Sequence, residues 1–129
     1  MTPSSSQPTV ERMGQFRQTV KIYGDRTTTV RMLVDTGATY SLIPESLARE
    51  IGIPLQRRPI TMTLADGRRM KVNHGNAVFG ILGREAPATL LVGDVAEPIL
   101  GMEILEILGL TVEPRKRRLK ATRGFALRI

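Results

Sequence analysis

From Gln15 onward, apolar and polar positions alternate along much of the chain, the period-two signature of strands with one buried face. In QFRQTVKIY the apolar face is Phe16, Val20 and Ile22, with the alternation broken at Gln18–Thr19. Tyr23-Gly24-Asp25-Arg26 supplies a turn, and TTTVRMLVD resumes the pattern with Val30, Met32 and Val34 on one face. Two antiparallel strands joined at Gly24–Asp25 are predicted, the second ending at Asp35. The period then changes. In PESLAREIGI, Leu47 and Ile51 lie one helical turn apart, Pro44 suits the first turn and Glu45 complements the N-terminal dipole. Gly52 is a fitting terminator.

Strand character returns after this helix. Asp66-Gly67 is a two-residue hairpin signal between Ile60–Leu64 and Arg69–Val72. Further on, NHGN reads as a turn that places His74 in solvent. APATLLVG is another strand, and its unbroken Leu90-Leu91-Val92 run predicts burial on both faces. EPILGMEILEILGL starts as a short strand and continues as a helix from about Met102, with Leu105 and Leu108 three apart and Gly109 closing it. LTVEPRKRRLKATRGFALRI reads as two strands around a basic turn. The whole is mostly β with two short helices.

Composition narrows the picture. A chain of 129 residues suits one domain, here 15–129, preceded by an arm over 1–14 rich in Ser, Pro and Thr that reads as flexible. It is 41% hydrophobic but has only three Phe, two Tyr and no Trp, so each buried residue gains less and oligomerisation would help. The absence of cysteine excludes disulfides, thiolate metal sites and a cysteine nucleophile. With His74 as the one histidine, no metal or other cofactor is expected. Neither a signal-peptide core nor a bilayer-spanning run is present, and a soluble, cytoplasmic protein without membrane contact is the expectation. The net charge is +7, concentrated partly in Arg115–Arg118 with Lys120 and Arg123 nearby. Without interleaved aromatics to stack bases, this run reads as a solvated turn, and nucleic acid is not an expected partner.

One stretch fits none of these structural roles easily. RMLVDTGATYSLIP ends an apolar strand in Asp35, turns through Thr36 and Gly37, and becomes apolar again at Leu42-Ile43. Taken alone, Asp35 could be a helix cap or turn residue. Yet small Ala38 leaves room above the carboxylate, and the return to apolar sequence places the turn inside the core. An ionised carboxylate held there is costly unless neutralised. Two neighbouring carboxylates solve this by sharing one proton, so that one is base while the other is acid. Such a pair can take a proton from water and protonate a carbonyl oxygen together. The chain has one such turn, because neither Asp66 nor Asp94 repeats it. The second carboxylate must come from a second copy across a twofold axis near Asp35.

LVDTGATYSLIP resembles the active-site segment of the retropepsin-like aspartic proteases, the single-domain, homodimeric relatives of pepsin. ATLLVGDVAEPILGMEIL is similar to the family's second signature, an apolar strand ending in Gly, then two apolar residues and Gly opening a helix. MTLADGRRMKV falls where the family carries its flap hairpin. The resemblance runs from about residue 15 to 113 and lies nearer the cellular and bacterial members, given the helix PESLAREIGI. It implies a mostly β, closed-barrel-like acid-protease lobe that dimerises. It also implies Asp35 as the catalytic aspartate, Thr36 as the hydroxyl bonding across the axis, and Gly37 as the residue that lets substrate approach. Ala38, the flap-tip residues Ala65, Asp66 and Gly67, and the apolar pair Ile99 and Leu100 would meet a peptide or protein substrate. Departures are a polar, basic flap tip, and Met102-Glu103 where retroviral members carry a bracing Arg. Met32, Met62, Met70 and Met102 read as core or pocket filling.

The expected activity is that of an aspartic endopeptidase. The alternative is a peptide-binding or dimerisation module that keeps the fold without cleaving. A nucleic-acid binder acting through RKRR would instead show salt-sensitive binding that survives loss of Asp35.

Overall fold

A computed structural model describes residues 15–56, 58–64 and 66–122. The arm over 1–14, Arg57, Ala65 and residues 123–129 lie outside the described residues. Strands form where alternation predicted them. β1 (Arg17–Tyr23) and β2 (Thr27–Val34) pair antiparallel with Tyr23 opposite Thr27, which leaves Gly24–Arg26 as the turn. Val20, Ile22, Met32 and Val34 all point into the core. β3 (Ser41–Pro44) leads directly into α1 (Glu45–Ile51), and Gly52 ends that helix in the left-handed conformation at φ 66°. Pro44 is therefore not in the first turn as expected. It stays extended at φ −66°, ψ 153°, because its strand pairs with residues up to Gly93.

β4 (Ile60–Thr63) and β5 (Arg69–Ile81) form the predicted hairpin. Its closure differs in detail. The Leu64 N–H donates to the Arg68 carbonyl at 2.7 Å and the Leu64 carbonyl accepts from Gly67 at 2.9 Å, so three residues, not two, form the loop. Gly67, at φ 90°, provides the left-handed position that such a loop needs. β6 (Arg84–Gly93) follows through the two-residue turn Leu82-Gly83. β7 (Ile99–Leu100), α2 (Met102–Leu108), β8 (Leu110–Glu113) and β9 (Arg118–Ala121) complete the chain.

The NHGN turn does not form. Residues 73–76 are continuous strand paired with β6, and His74 is half-buried opposite Leu91. Gly75 has another purpose. A Cβ there would lie 2.5 Å from the Pro54 carbonyl oxygen, so glycine admits the 53–56 segment, whose Gln56 N–H reaches the His74 carbonyl at 2.8 Å.

The sheet runs β1-β2-β7-β3-β6-β5-β4, and a second pairing of β1 with β5 closes the first six strands into a ring. Most contacts are antiparallel, but β2 with β7 and β3 with β6 are parallel. The ring encloses the main core, including Ile22, Met32, Ile43, Phe79, Leu90 and Leu100, all fully buried. α1 adds Ala48 and Ile51, and α2 adds Ile104, Leu105 and Leu108. The predicted two-sided burial of Leu90, Leu91 and Val92 holds. Leu91, with Leu42 and Val72, forms a second, smaller cluster against which Met62, Met70, Val95 and Ile99 pack. That cluster seats the base of the β4–β5 hairpin. β8 and β9 make a separate two-stranded sheet, whose Leu110 and Leu119 reach the main core. Their connection carries the basic run, with Arg118 bonded to Glu113 at 2.7 Å. No described helix is long and apolar enough to cross a membrane.

Candidate active site

The end of β2 is gripped by β7. Leu33 N–H donates to the Pro98 carbonyl at 2.9 Å and Asp35 N–H to the Leu100 carbonyl at 3.1 Å. The chain then turns, with Ala38 N–H returning to the Asp35 carbonyl at 3.1 Å. One carboxylate oxygen of Asp35, Oδ1, accepts from Gly37 N–H at 2.9 Å. Oδ2 has no hydrogen bond among the described residues, and no cation pairs with Asp35 there. The group is half-buried, held by one oxygen and open at the other.

The following loop is strapped to α2. Met102 N–H donates to the Ala38 carbonyl and Glu103 N–H to the Thr39 carbonyl, both at 2.8 Å. Gly101 N–H donates to Ser41 Oγ at 3.0 Å, and Ser41 is the one buried polar residue among those described. Gly101 is required by proximity, since a Cβ there would lie 2.5 Å from the Tyr40 carbonyl carbon. Glu103 secures the helix in turn, because its carboxylate accepts the Thr89 N–H at 2.9 Å. Glu103 therefore braces α2 against β6 within the protomer.

The expectation that this turn lies inside the core is corrected. Thr36, Gly37, Thr39 and Tyr40 are exposed, and burial resumes only at Ser41, where β3 enters the sheet between β7 and β6. The loop is a surface feature of the protomer with a core-anchored base.

A groove of about 310 Å³ starts at Asp35 and passes under the β4–β5 hairpin. Leu42 and Ile99 form its floor, and Met62, Thr63 and Leu64 come from the hairpin. Of the residues singled out in the sequence, Asp35, Gly37, Ala38 and Ile99 meet in it. Thr36 is exposed on the same loop, and Asp66 and Gly67 are exposed at the hairpin tip, outside the groove lining. Leu100 is fully buried in the main core behind the loop. Ala65 lies outside the described residues. Thr39, Tyr40, Leu42, Thr63 and Leu64 were not singled out as site residues, whereas Met62, read as core or pocket filling, does line the groove. Alternation could have found Leu64, which falls on the same face of the hairpin strand as Met62. A larger hollow, about 560 Å³, lies beside Lys71, Asn73 and Asp94 but is not lined by Asp35. The smaller groove is the candidate because it reaches the carboxylate.

At the tip, the Asp66 carboxyl is held below its ordinary range, chiefly by the Arg68 N–H at 2.9 Å and then by the Arg68 guanidinium at 2.7 Å. Among the described residues, no group of three His, Asp or Glu side chains could hold a metal ion.

A closed β lobe with an Asp-Thr-Gly loop, an apolar groove and an overhanging hairpin defines a retropepsin-like protein. Comparison with known families agrees. Residues 19–107 match the gag-polyprotein putative aspartyl protease family, well over half of the chain, and the chain belongs to that family. No individual curated protein matches it significantly.

Proposed function

We propose that the chain is an aspartic endopeptidase that acts as a symmetric homodimer. Water held between two Asp35 carboxylates, one from each copy, attacks the scissile carbonyl carbon. The unprotonated carboxylate takes a proton from the water while its protonated mate gives one to the carbonyl oxygen. The tetrahedral diol then collapses: the carboxyl that took the water proton passes it to the departing amine nitrogen, one diol hydroxyl gives its proton back to the other carboxylate, and the C–N bond breaks, which restores a pair sharing one proton. No covalent enzyme intermediate forms. Thr36 would bond across the twofold axis, Gly37 and Ala38 would leave the substrate backbone room, and Leu42 and Ile99 would contact its apolar side chains. The β4–β5 hairpin, with Ala65, Asp66 and Gly67 at its tip, would act as the flap. Leu100 would support the loop from the core side.

The observation that carries this reading is the state of Asp35. It stands at the mouth of an apolar groove with Oδ1 anchored on Gly37 N–H and Oδ2 without a hydrogen bond among the described residues. It also stands on an exposed loop that a second copy can reach. A merely structural turn aspartate has no need of a groove or of a rigidly braced loop.

The test is cleavage of a mixed peptide library from about pH 4 to 7, a range that starts near the ordinary carboxylate value and runs up to neutrality, by the wild type and by Asp35→Asn. Asn keeps the shape but cannot share a proton. Cleavage by the wild type alone, strongest on the acid side where the pair holds one proton, is expected. If protein shown to be dimeric cleaves nothing, the chain is the non-catalytic peptide-binding or dimerisation module instead.

A further inference from the structure

Antiparallel pairing sorts the residues of the β4–β5 hairpin onto two faces, because directly opposed residues share a face. Ile60, Met62, Met70 and Val72 fall on one face. Met62, Met70 and Val72 from it belong to the small cluster at the groove. Thr61, Thr63, Arg69 and Lys71 fall on the other, and all four are exposed. The hairpin is thus apolar beneath and cationic above.

The cations of the chain are not equivalent. Arg17 is committed to Glu97, Arg49 to Glu45, Arg68 to Asp66 and Arg118 to Glu113. Arg69 and Lys71, side by side two residues apart, have no ionic partner among the described residues. Asp94 lines the hollow beside Lys71 without forming an ion pair to it. The acid of the hairpin itself, Asp66, is already satisfied by Arg68. Two positive charges without an ion pair among the described residues therefore stand on the outer face of the hairpin whose inner face meets the apolar groove.

We propose that the outer face of this hairpin, at Arg69 and Lys71, binds acidic residues of the same polypeptide whose apolar segment enters the groove. The preferred partner is a peptide with an apolar centre and a Glu- or Asp-rich flank. Polypeptide is favoured over nucleic acid because the face offers threonines opposite its cations and no aromatic ring for a base to stack on. The inference rests on the groove being a peptide site, as proposed above.

The test uses the full chain carrying Asp35→Asn, so that bound peptide is not consumed. Three fluorescent peptides share one apolar centre and differ in flanks of Glu, Gln or Lys, and binding is followed by anisotropy. At about 50 mM salt, where screening is weak, the Glu peptide should bind roughly three- to tenfold more tightly than the Gln peptide, the scale of two exposed ion pairs. The Lys peptide should bind least. Arg69→Gln with Lys71→Gln should erase the difference, while Arg115→Gln with Lys116→Gln, which removes equal charge from the β8–β9 turn, should keep it. Equal binding of the Glu and Gln peptides, or no binding of the Glu peptide, overturns the proposal. So does a preference that survives loss of Arg69 and Lys71, or an oligonucleotide of matched charge that outcompetes the Glu peptide. Failure of the protease reading appears separately, as a Gln peptide that binds the wild type but is never cut.

Discussion

Gly101→Ala asks whether the Asp35 loop and helix α2 form one rigid unit. The added methyl would lie 2.5 Å from the Tyr40 carbonyl carbon, 2.6 Å from the Tyr40 oxygen and 2.8 Å from the Thr39 oxygen. All three are backbone atoms, so no change of rotamer relieves the clash. The helix must retreat from the loop, which strains the Met102–Ala38 and Glu103–Thr39 hydrogen bonds, each 2.8 Å long. It also strains the buried 3.0 Å bond from Gly101 N–H to Ser41 Oγ. Overpacking costs about 1–3 kcal/mol, and each bond lost adds about 0.5–1.5 kcal/mol. With one or two bonds broken, the loss should be about 2–5 kcal/mol, a large part of the ~5–15 kcal/mol that holds a domain together. For a domain near this size the melting temperature should fall by roughly 8–20 °C. Gly80→Ala is the control, because its methyl would meet only Glu85 and Lys21 side-chain atoms at 3.5 Å, an ordinary contact. Its stability should stay within about 1 kcal/mol of wild type. Urea and thermal melts followed by circular dichroism decide the matter, at one protein concentration because a dimer's stability depends on it. If Gly101→Ala melts alongside Gly80→Ala, the loop and helix are not rigidly docked, and α2 does not hold the Asp35 carboxylate in place.

Two other expectations concern the rest of the molecule. Leu82 lies in a two-residue hairpin turn at φ 52°, a strained conformation for a leucine, and it is 58% exposed. Leu82→Asn should therefore raise stability by about 0.5–1 kcal/mol, read from the urea midpoint, and a decrease would contradict the strain argument. Asp66 and Glu113 are both held below their ordinary values, Asp66 chiefly by the Arg68 N–H and Glu113 chiefly by its hydrogen bond to Arg118. A carboxyl depressed in the folded state contributes stability that is present above its unfolded value and lost as pH falls through the folded one. Carboxyl NMR titrations should place both midpoints below those of the same residues in the unfolded chain, and a midpoint at or above the ordinary value would contradict the pairing.

Much of this architecture was legible because its signals are local. Alternation at Val20 and Ile22, and at Met32 and Val34, marks a strand whatever its partners are. Gly52 and Gly109 end helices through their own left-handed backbone. The Asp-Thr-Gly turn, the hairpin and the Ile-Leu-Gly segment could be recognised, but not the groove they share. That groove depends on which strands become neighbours. The parallel pairings of β2 with β7 and of β3 with β6 join residues far apart in sequence, and no local pattern encodes them. NHGN misled for a related reason. Gly and Asn favour turns locally, but Gly75 answers to the Pro54 carbonyl, a constraint that only the folded chain imposes. The depth of the turn after Asp35 was misjudged similarly. Apolar residues on both sides imply burial, yet Ser41 onward belongs to a strand in the sheet while residues 36–40 lie outside it.

An exposed loop is ordinarily soft, since few contacts restrain it. This one is not, and the reason lies in what a helix start lacks. The first N–H groups of any helix have no partner within it. α2 begins at Gly101, which supplies no side-chain cap, so its first donors would be orphans. The carbonyls of Ala38 and Thr39 face the same problem, because they sit in an irregular turn without a ladder to join. Each set satisfies the other at 2.8 Å. Glu103 then anchors the helix to β6 through Thr89, and β7 anchors the start of the loop through Asp35 N–H. The Asp35 carboxylate is thereby oriented by backbone bonds on both sides, with no need of a neighbouring side chain to hold it. A protomer built this way presents its carboxylate in a finished position before anything docks against the loop. If the site is completed by a second copy, as proposed above, that preorganisation would let the two halves meet without either having to refold.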